Sequence, residues 1–375
     1  MTIAIDASNI RTGGGITHLV KILTYADPLK FDVEKVIVYS NDNTLSKLPN
    51  FRWLVKKSDP WLNRGVLYSF LYQRIKLVHS LNEQNVDLLF VPGGTYIGSF
   101  RPFVTMSQNM LPFESEELNR FKRFRDRLKL HILRYTQSRT FLRSNAVIFL
   151  TQYAKEEISK KICLRKPSQI IPHGIDIDFM QQPKKQKEIK EYNIDNPFKL
   201  LYVSIINCYK HQWNVAEAVL KLREKGIPIC LDLVGDYEQD SLNKLNKVIA
   251  LDIYRCINYM GLIDHDKLTD IYKNADGFVF ASSCENQPII LLEAMAAGLP
   301  IACSNKGPMP EVLGDAGIYF NPLSIDSIIE SFSEFIFNKE KRAELSQKAY
   351  LKSLNYSWKD CSNQTFNYLA KIIML

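Results

Sequence analysis

Short apolar runs alternate along this chain with longer stretches in which apolar residues recur every three or four positions. The runs at residues 2–6, 35–39, 87–91, 103–106, 146–150 and 169–171 predict strands, and the periodic stretches at 16–25, 65–83 and 118–142 predict helices between some of them. Alternation of this kind argues for a parallel α/β sheet wound with helices on both faces. From Met180 to Glu188 the sequence turns polar and lysine-rich with no apolar period, which reads as a linker. A second α/β unit follows, with predicted strands at 199–203, 228–234, 257–260, 277–281 and 300–302 and a helix at 212–225. After Tyr356, Ser357 and Trp358, residues 359–373 read as a closing helix. The expected division is therefore 1–183, 184–355 and 356–375.

At 375 residues the chain is long enough for two such domains, each with a core that needs no staple. Seven cysteines, odd in number and without paired spacing, read as reduced, mostly buried small hydrophobes, and disfavour a secreted disulfide framework or a zinc site. No charged leader is expected before the first strand, and no apolar run approaches the ~18 residues of a membrane span. A cytoplasmic protein is expected, placed peripherally on the inner face of the membrane if on a membrane at all.

The stretch from Glu285 to Pro300 carries the most chemistry. Pro288 suits a first helical turn and Gly298 followed by Pro300 suits a stop, which predicts a helix over about 288–297. The free N–H groups at its start, beside Glu285, Asn286 and Gln287, favour an anion such as phosphate. Glu285 before the helix and Glu293 inside it can each accept hydrogen bonds from hydroxyls, so a diphosphate at the helix mouth would find a sugar toward one and a ribose toward the other. An ordinary amphipathic helix fits the same spacing.

The neighbouring segments narrow this. Leu268 to Ser283, Pro300 to Ser304, Pro310 to Gly317, Ile170 to Asp176, Leu201 to Ser204 leading to Lys210, Leu233 to Asp236 and Tyr259 to Ile263 fall in one order. Together with residues 285–300, this order resembles the retaining GT-B glycosyltransferases of family 4, the glycosyl transferases group 1, including those that build bacterial surface polysaccharides. The resemblance implies an α/β GT-B fold, with two Rossmann-like domains facing across a cleft and a C-terminal helix crossing back to the N-terminal domain. It implies an acceptor-binding first domain, a second domain for a nucleoside-diphosphate sugar, and hexosyl transfer with retention and no required metal or cofactor. Lys210 matches the lysine on the donor diphosphate, Glu285 the glutamate facing the sugar, and Glu293 the one on the ribose. Asn286, Gln287, Pro288, Ile289 and Gly235 fall at donor-binding positions, and Gly14 and Gly15 belong to a loop near the donor phosphates. Two departures stand out. Ile205 occupies the slot of an arginine that accompanies the lysine, with Arg11 and Lys306 as replacements, and Gln108, next to Asn109 on the acceptor side, replaces a histidine. Glutamine hydrogen-bonds a sugar but is no base near neutral pH. His173 reads as structural and His18 as a weaker candidate for the cleft. A nucleotide-sugar epimerase of the same fold, or a non-catalytic glycan-assembly subunit, remains open.

Charge adds a partner. Residues 1–183 hold 26 Lys+Arg against 16 Asp+Glu, giving +10, whereas residues 184–375 hold 22 against 24, giving −2. The surplus is densest from Arg120 to Arg143, where cations including Arg120, Arg123, Arg127 and Arg134 interleave with apolar residues. A basic helix of this kind suits an anionic membrane surface or an acidic lipid-linked glycan acceptor. A solvated face is the plainer alternative, and nucleic acid is not expected as a partner.

Overall fold

The structure, a computed structural model, describes residues 1–374. The chain forms two compact units, Met1–Gly174 together with the residues from Ser357, and Ile175–Tyr356. In the first unit seven parallel strands, β1 (Thr2–Asp6), β2 (Lys35–Tyr39), β3 (Leu54–Lys57), β4 (Leu88–Val91), β5 (Phe103–Met106), β6 (Ala146–Phe149) and β7 (Ser168–Ile170), line up as β3-β2-β1-β4-β5-β6-β7. Every residue of β4, β5 and β6 is buried, which is why these segments read as apolar runs rather than as alternation. In the second unit β8 (Phe198–Val203), β9 (Ile229–Val234), β10 (Ile257–Tyr259), β11 (Gly277–Phe280), β12 (Ile301–Ser304) and β13 (Ile318–Phe320) line up as β10-β9-β8-β11-β12-β13, again all parallel. Two Rossmann-like sheets are thus present, as the alternation predicts. The closing helix, Trp358–Met374, belongs to the first unit, where Ser362 Oγ donates to Ile22 O at 2.7 Å and Phe366 and Leu369 are buried.

Several expectations need correction. The second unit begins at Ile175, ahead of the expected 183/184 boundary, because Phe179 is buried in the second core and Gln181 N donates to Ala296 O at 2.9 Å. The polar stretch after it is no free linker. Lys184 Nζ donates to Ala275 O at 3.0 Å, and the buried Arg342 holds Gln186 Oε1 at 3.1 Å and Lys187 O at 2.5 Å, so backbone carbonyls and side chains strap it to the second unit without any apolar period. The single helix expected over 65–83 is broken by a π-helical turn at Gln73–Leu77 between Val66–Tyr72 and Val78–Glu83. There Gln73 Nε2 turns inward to Asp6 Oδ2 (2.7 Å) and Thr95 O (3.2 Å). The helix expected from 118 begins only at Phe124, with Arg123 in extended backbone at its N-cap, and runs to Arg143. β3 and β13 were not foreseen.

Arg342 also donates to Phe335 O at 2.9 Å and to Ile336 O, so one guanidinium satisfies carbonyls of both the strap and the helix end at 337. Truncation would leave several buried acceptors unmet at about 1–3 kcal/mol each. Arg342→Ala should therefore destabilise the second unit by about 3–5 kcal/mol and speed amide exchange at 184–191 before the sheet opens. A variant with unchanged melting temperature and unchanged exchange there would remove Arg342 from this role.

Candidate active site

In an open parallel sheet, ligands bind at the carboxyl ends of the two central strands from which the connections leave in opposite directions. In the second unit those strands are β8 and β11, whose neighbours on either side are β9 and β12. Lys210 lies in the loop after β8 and Glu285 in the loop after β11, residues that are 75 apart in sequence. The structure brings them together as an ion pair, Lys210 Nζ to Glu285 Oε1. Lys210 is only 5% exposed, and its ammonium also stands 5.2 Å from the ring centroids of Tyr209 and Phe280. Burial, reinforced by the Glu285 charge, pushes the Tyr209 and Tyr202 phenols up, so both stay neutral donors.

The two loops are clasped by their own backbone. Ser283 N donates to Tyr209 O at 2.8 Å, His211 Nε2 meets Ser283 Oγ at 2.8 Å, and Tyr202 OH donates to Lys210 O at 2.6 Å. Gly235, at the end of β9, closes the same corner from the other side. Its φ is 144° and a Cβ there would sit 2.1 Å from Ser204 O, so the loop that carries Lys210 can pass only over a glycine.

Pro288 stands immediately before the helix Ile289–Ala296, one position earlier than its expected place in the first turn. Asn286 and Gln287 are buried polar residues at that mouth, and Ile289 is half-buried. Glu293, one turn into the helix, faces a different neighbourhood from Glu285. Its Oε2 accepts from Tyr272 OH at 3.1 Å and its Oε1 lies 3.6 Å from His265 Nε2, both on the helix His265–Asn274. Burial raises the Glu293 carboxyl above its ordinary range, opposed by His265 and by the Tyr272 hydrogen bond. Sequence reasoning missed His265 and Tyr272. Their only signal is a spacing that sets both on one helix face.

The remaining expected residues fall as follows. Ile205 is 41% exposed. Arg11, in the first unit, is committed elsewhere, its Nη2 donating to Leu62 O at 2.7 Å and Ser69 Oγ at 2.9 Å. Lys306 is exposed in the second unit, next to Gly307, whose Cβ position would be 3.9 Å from Glu285 N. In the first unit Gly14 and Gly15 open the helix Gly14–Thr24, and a Cβ on Gly15 would touch Gln108 Oε1 at 3.5 Å, so this loop and Gln108 lie together. Gln108 is half-buried and Asn109 is exposed, its Oδ1 accepting from Leu111 N at 3.0 Å. His18 is not a cleft residue. It is fully buried with its Nδ1 3.1 Å from His173 Nδ1, and burial pushes it to about 3, so it is neutral and structural together with His173 and Trp358. The seven cysteines are free thiols. Among the described residues, no group of three or more His, Cys, Asp or Glu is placed to hold a metal ion.

Residues 184–352 match the family model of the glycosyl transferases group 1. O-antigen chain mannosyltransferase B of Escherichia coli is 32% identical over 111 residues, 30% of this chain and 29% of that protein. The chain thus spans less than a third of the length of that curated relative. Among solved structures, the sucrose-phosphate synthase of Thermosynechococcus elongatus superposes with a TM-score of 0.74 at 14% identity, covering 97% of each chain. Anabaena HepE in complex with UDP and glucose superposes with 0.69 at 18% identity, covering 99% of this chain and 100% of that one. At these identities the likeness shows the fold, which is that of the GT-B proteins.

The raised carboxyl of Glu293 carries a signed consequence. A glutamate whose folded pKa exceeds its unfolded value stabilises the fold at low pH and loses that contribution as pH rises through the folded value. Glu293→Gln should therefore melt higher than wild type at pH 8, with the gap closing toward pH 4, while a Gln carbonyl still accepts from Tyr272. Melting curves across that range check it, and a gap that grows on acidification contradicts it.

Proposed function

The second domain belongs to the glycosyl transferases group 1, and from that premise we propose that the protein is a retaining glycosyltransferase moving a hexose from a nucleoside-diphosphate sugar to a glycan acceptor. We take the acceptor to be lipid-linked, in surface-polysaccharide assembly of the O-antigen or capsule type. The observation that carries the reading is the Lys210–Glu285 pair, set at the switch point of the second sheet and beside the mouth of the Ile289–Ala296 helix. A diphosphate arriving there meets an ammonium and the N-terminal end of a helix, which favours an anion. Lys210 then neutralises charge that grows on the leaving phosphate, in the place a divalent cation takes in other transferases. Glu285, released from the lysine, accepts from a sugar hydroxyl, and Glu293 from the ribose. Glu285 enters paired to a cation, which suits a hydroxyl acceptor better than a nucleophile. Proton transfer from the acceptor hydroxyl to the leaving phosphate oxygen, on the same face of the sugar, accounts for retention without a further base. The E. coli mannosyltransferase at 32% identity supports an O-antigen setting.

A thermal-shift screen of nucleotide sugars tests donor binding first, since a ligand at about a hundred times its dissociation constant stabilises by about 2.7 kcal/mol. With the donor found, Lys210→Ala should lower kcat by about 10²–10³-fold, as loss of one charge-stabilising group does. Glu293→Ala should chiefly raise the donor KM, because ribose contacts are alike in ground and transition states. Near-normal turnover in Lys210→Ala sinks the assignment. Donor epimerised with no acceptor present would mark an epimerase, and donor bound but never consumed would mark a non-catalytic subunit.

A further inference from the structure

The helix Phe124–Arg143 has two apolar faces, and only one of them is covered. Leu130, Gln137, Thr140 and Phe141 are buried against the first unit. At about 100° per residue, Phe124, Leu128, Ile132, Tyr135 and Leu142 fall in one outward sector about 80° wide. All five are exposed, Phe124 at 74% and Tyr135 at 64%. Arg125 and Lys129 flank the sector on one side and Arg127 and Arg134 on the other, while Asp126, the sole acid of the helix, points to the opposite side. A second helix repeats the pattern. Leu67 and Leu71, on Val66–Tyr72, and Ile75, in the π-helical turn that follows, are exposed, Leu67 at 78%, and so is Arg74. The two helices hold the same segment between them, since Gln73 Oε1 accepts from Ile97 N (3.3 Å) and Thr140 Oγ1 from Tyr96 N (2.9 Å). At the end of the first of them, Arg143 Nη2 donates to Gly98 O of that segment at 3.0 Å. Partial burial and the charges of Arg101, Arg139 and Arg74 hold its guanidinium below the usual arginine range.

We propose that this two-helix face of the first unit docks in the plane of an anionic bilayer, with Leu67, Leu71, Ile75, Phe124, Leu128 and Ile132 entering the acyl boundary and the flanking arginines on lipid phosphates. The charge selects this occupant. A symmetric dimer through the face would bring its cations against themselves, which costs Coulomb energy. Nucleic acid would use the arginines but leave the leucine and isoleucine stripes in water. A bilayer carrying phosphate above hydrocarbon answers both components at the right depth, with the long cationic stems lying along the apolar side chains. Of the four cations that the sequence singled out, Arg120 is drawn away, its Nε donating to Glu117 at 2.8 Å, and the apolar stripes take the larger share. The proposal extends the reading of a lipid-linked acceptor but stands on residues of the first unit only.

Co-sedimentation of the whole protein with phosphatidylcholine vesicles, with and without phosphatidylglycerol, tests it. Wild type should pellet with the anionic vesicles, and Leu128→Glu/Ile132→Glu should partition about tenfold or more weakly at every salt concentration. Arg127→Gln/Arg134→Gln should bind more weakly than wild type mainly at low salt, the gap closing as salt rises. Leu67→Ser/Leu71→Ser provides an independent variant should the first pair misfold. Wild type that never pellets, or glutamate variants that pellet unchanged, would overturn the proposal. So would sedimentation velocity showing lipid-free self-association that the same variants abolish in protein that never pellets. Donor thermal shifts on the wild-type samples separate the two ideas: lipid binding without any donor shift counts against the transferase, and a donor shift without lipid binding counts against this face.

Discussion

A lysine ammonium almost wholly withdrawn from water requires an anion at contact, and in this fold Glu285 supplies it to Lys210. That single requirement ties two loops that start from strands far apart in sequence but adjacent in the sheet. The Ser283–Tyr209 and His211–Ser283 hydrogen bonds then fix their relative height. His211 sits in left-handed backbone, φ 52°, between Lys210 and the helix Gln212–Glu224. A non-glycine residue holds that conformation only where its surroundings over-determine it, and the bond from its ring to the opposite loop does so. Gly235 completes the constraint by leaving room for Ser204. The charged pair is thus preorganised by covalent and hydrogen-bonded geometry rather than by the ions alone.

The central strands were legible because they are buried on both faces, where apolar runs leave little ambiguity. β1, β2 and β5 begin and end where the runs do. β3 was not legible. It is an edge strand with two lysines, and only Leu54 of its four residues is buried. The strap at 184–188 failed for a related reason, since its partners are the buried Arg342 and backbone carbonyls, which leave no apolar period. The π-turn at Gln73 is set by Asp6, 67 positions away, and no local propensity records it. Lys210, Glu285 and the glutamate of the helix stood out by order and spacing. Their partners, Tyr272 and His265 for Glu293, come from another helix and emerge only once the sheet is folded.

The placement of the two glutamates separates their chemistry. Glu285 has a formal cation against it and belongs to a loop, whereas Glu293 is held inside a helix by a phenol and an imidazole. Burial raises Glu293, so its charged form is the costlier one there. An ionisable group held at such a position is more often a mark of a binding site than of a device for stability.

The helix Phe124–Arg143 shows why periodicity alone reports only part of a surface. Apolar residues on opposite sides cancel in any average over the helix, so it reads as weakly amphipathic although each face is sharply defined. One face is spent on the core through Leu130 and Phe141; on the other, Phe124, Leu128 and Ile132 are exposed. Isolated exposed leucines are ordinary, but five apolar residues in one sector of this helix, with Leu67, Leu71 and Ile75 also exposed on the first unit, are not, and such clusters are rare on surfaces that meet only water. The flanking arginines keep the same stripe from becoming a self-association surface. Charge and exposed hydrocarbon, each destabilising or unhelpful alone, are compatible here only when something both anionic and apolar lies opposite.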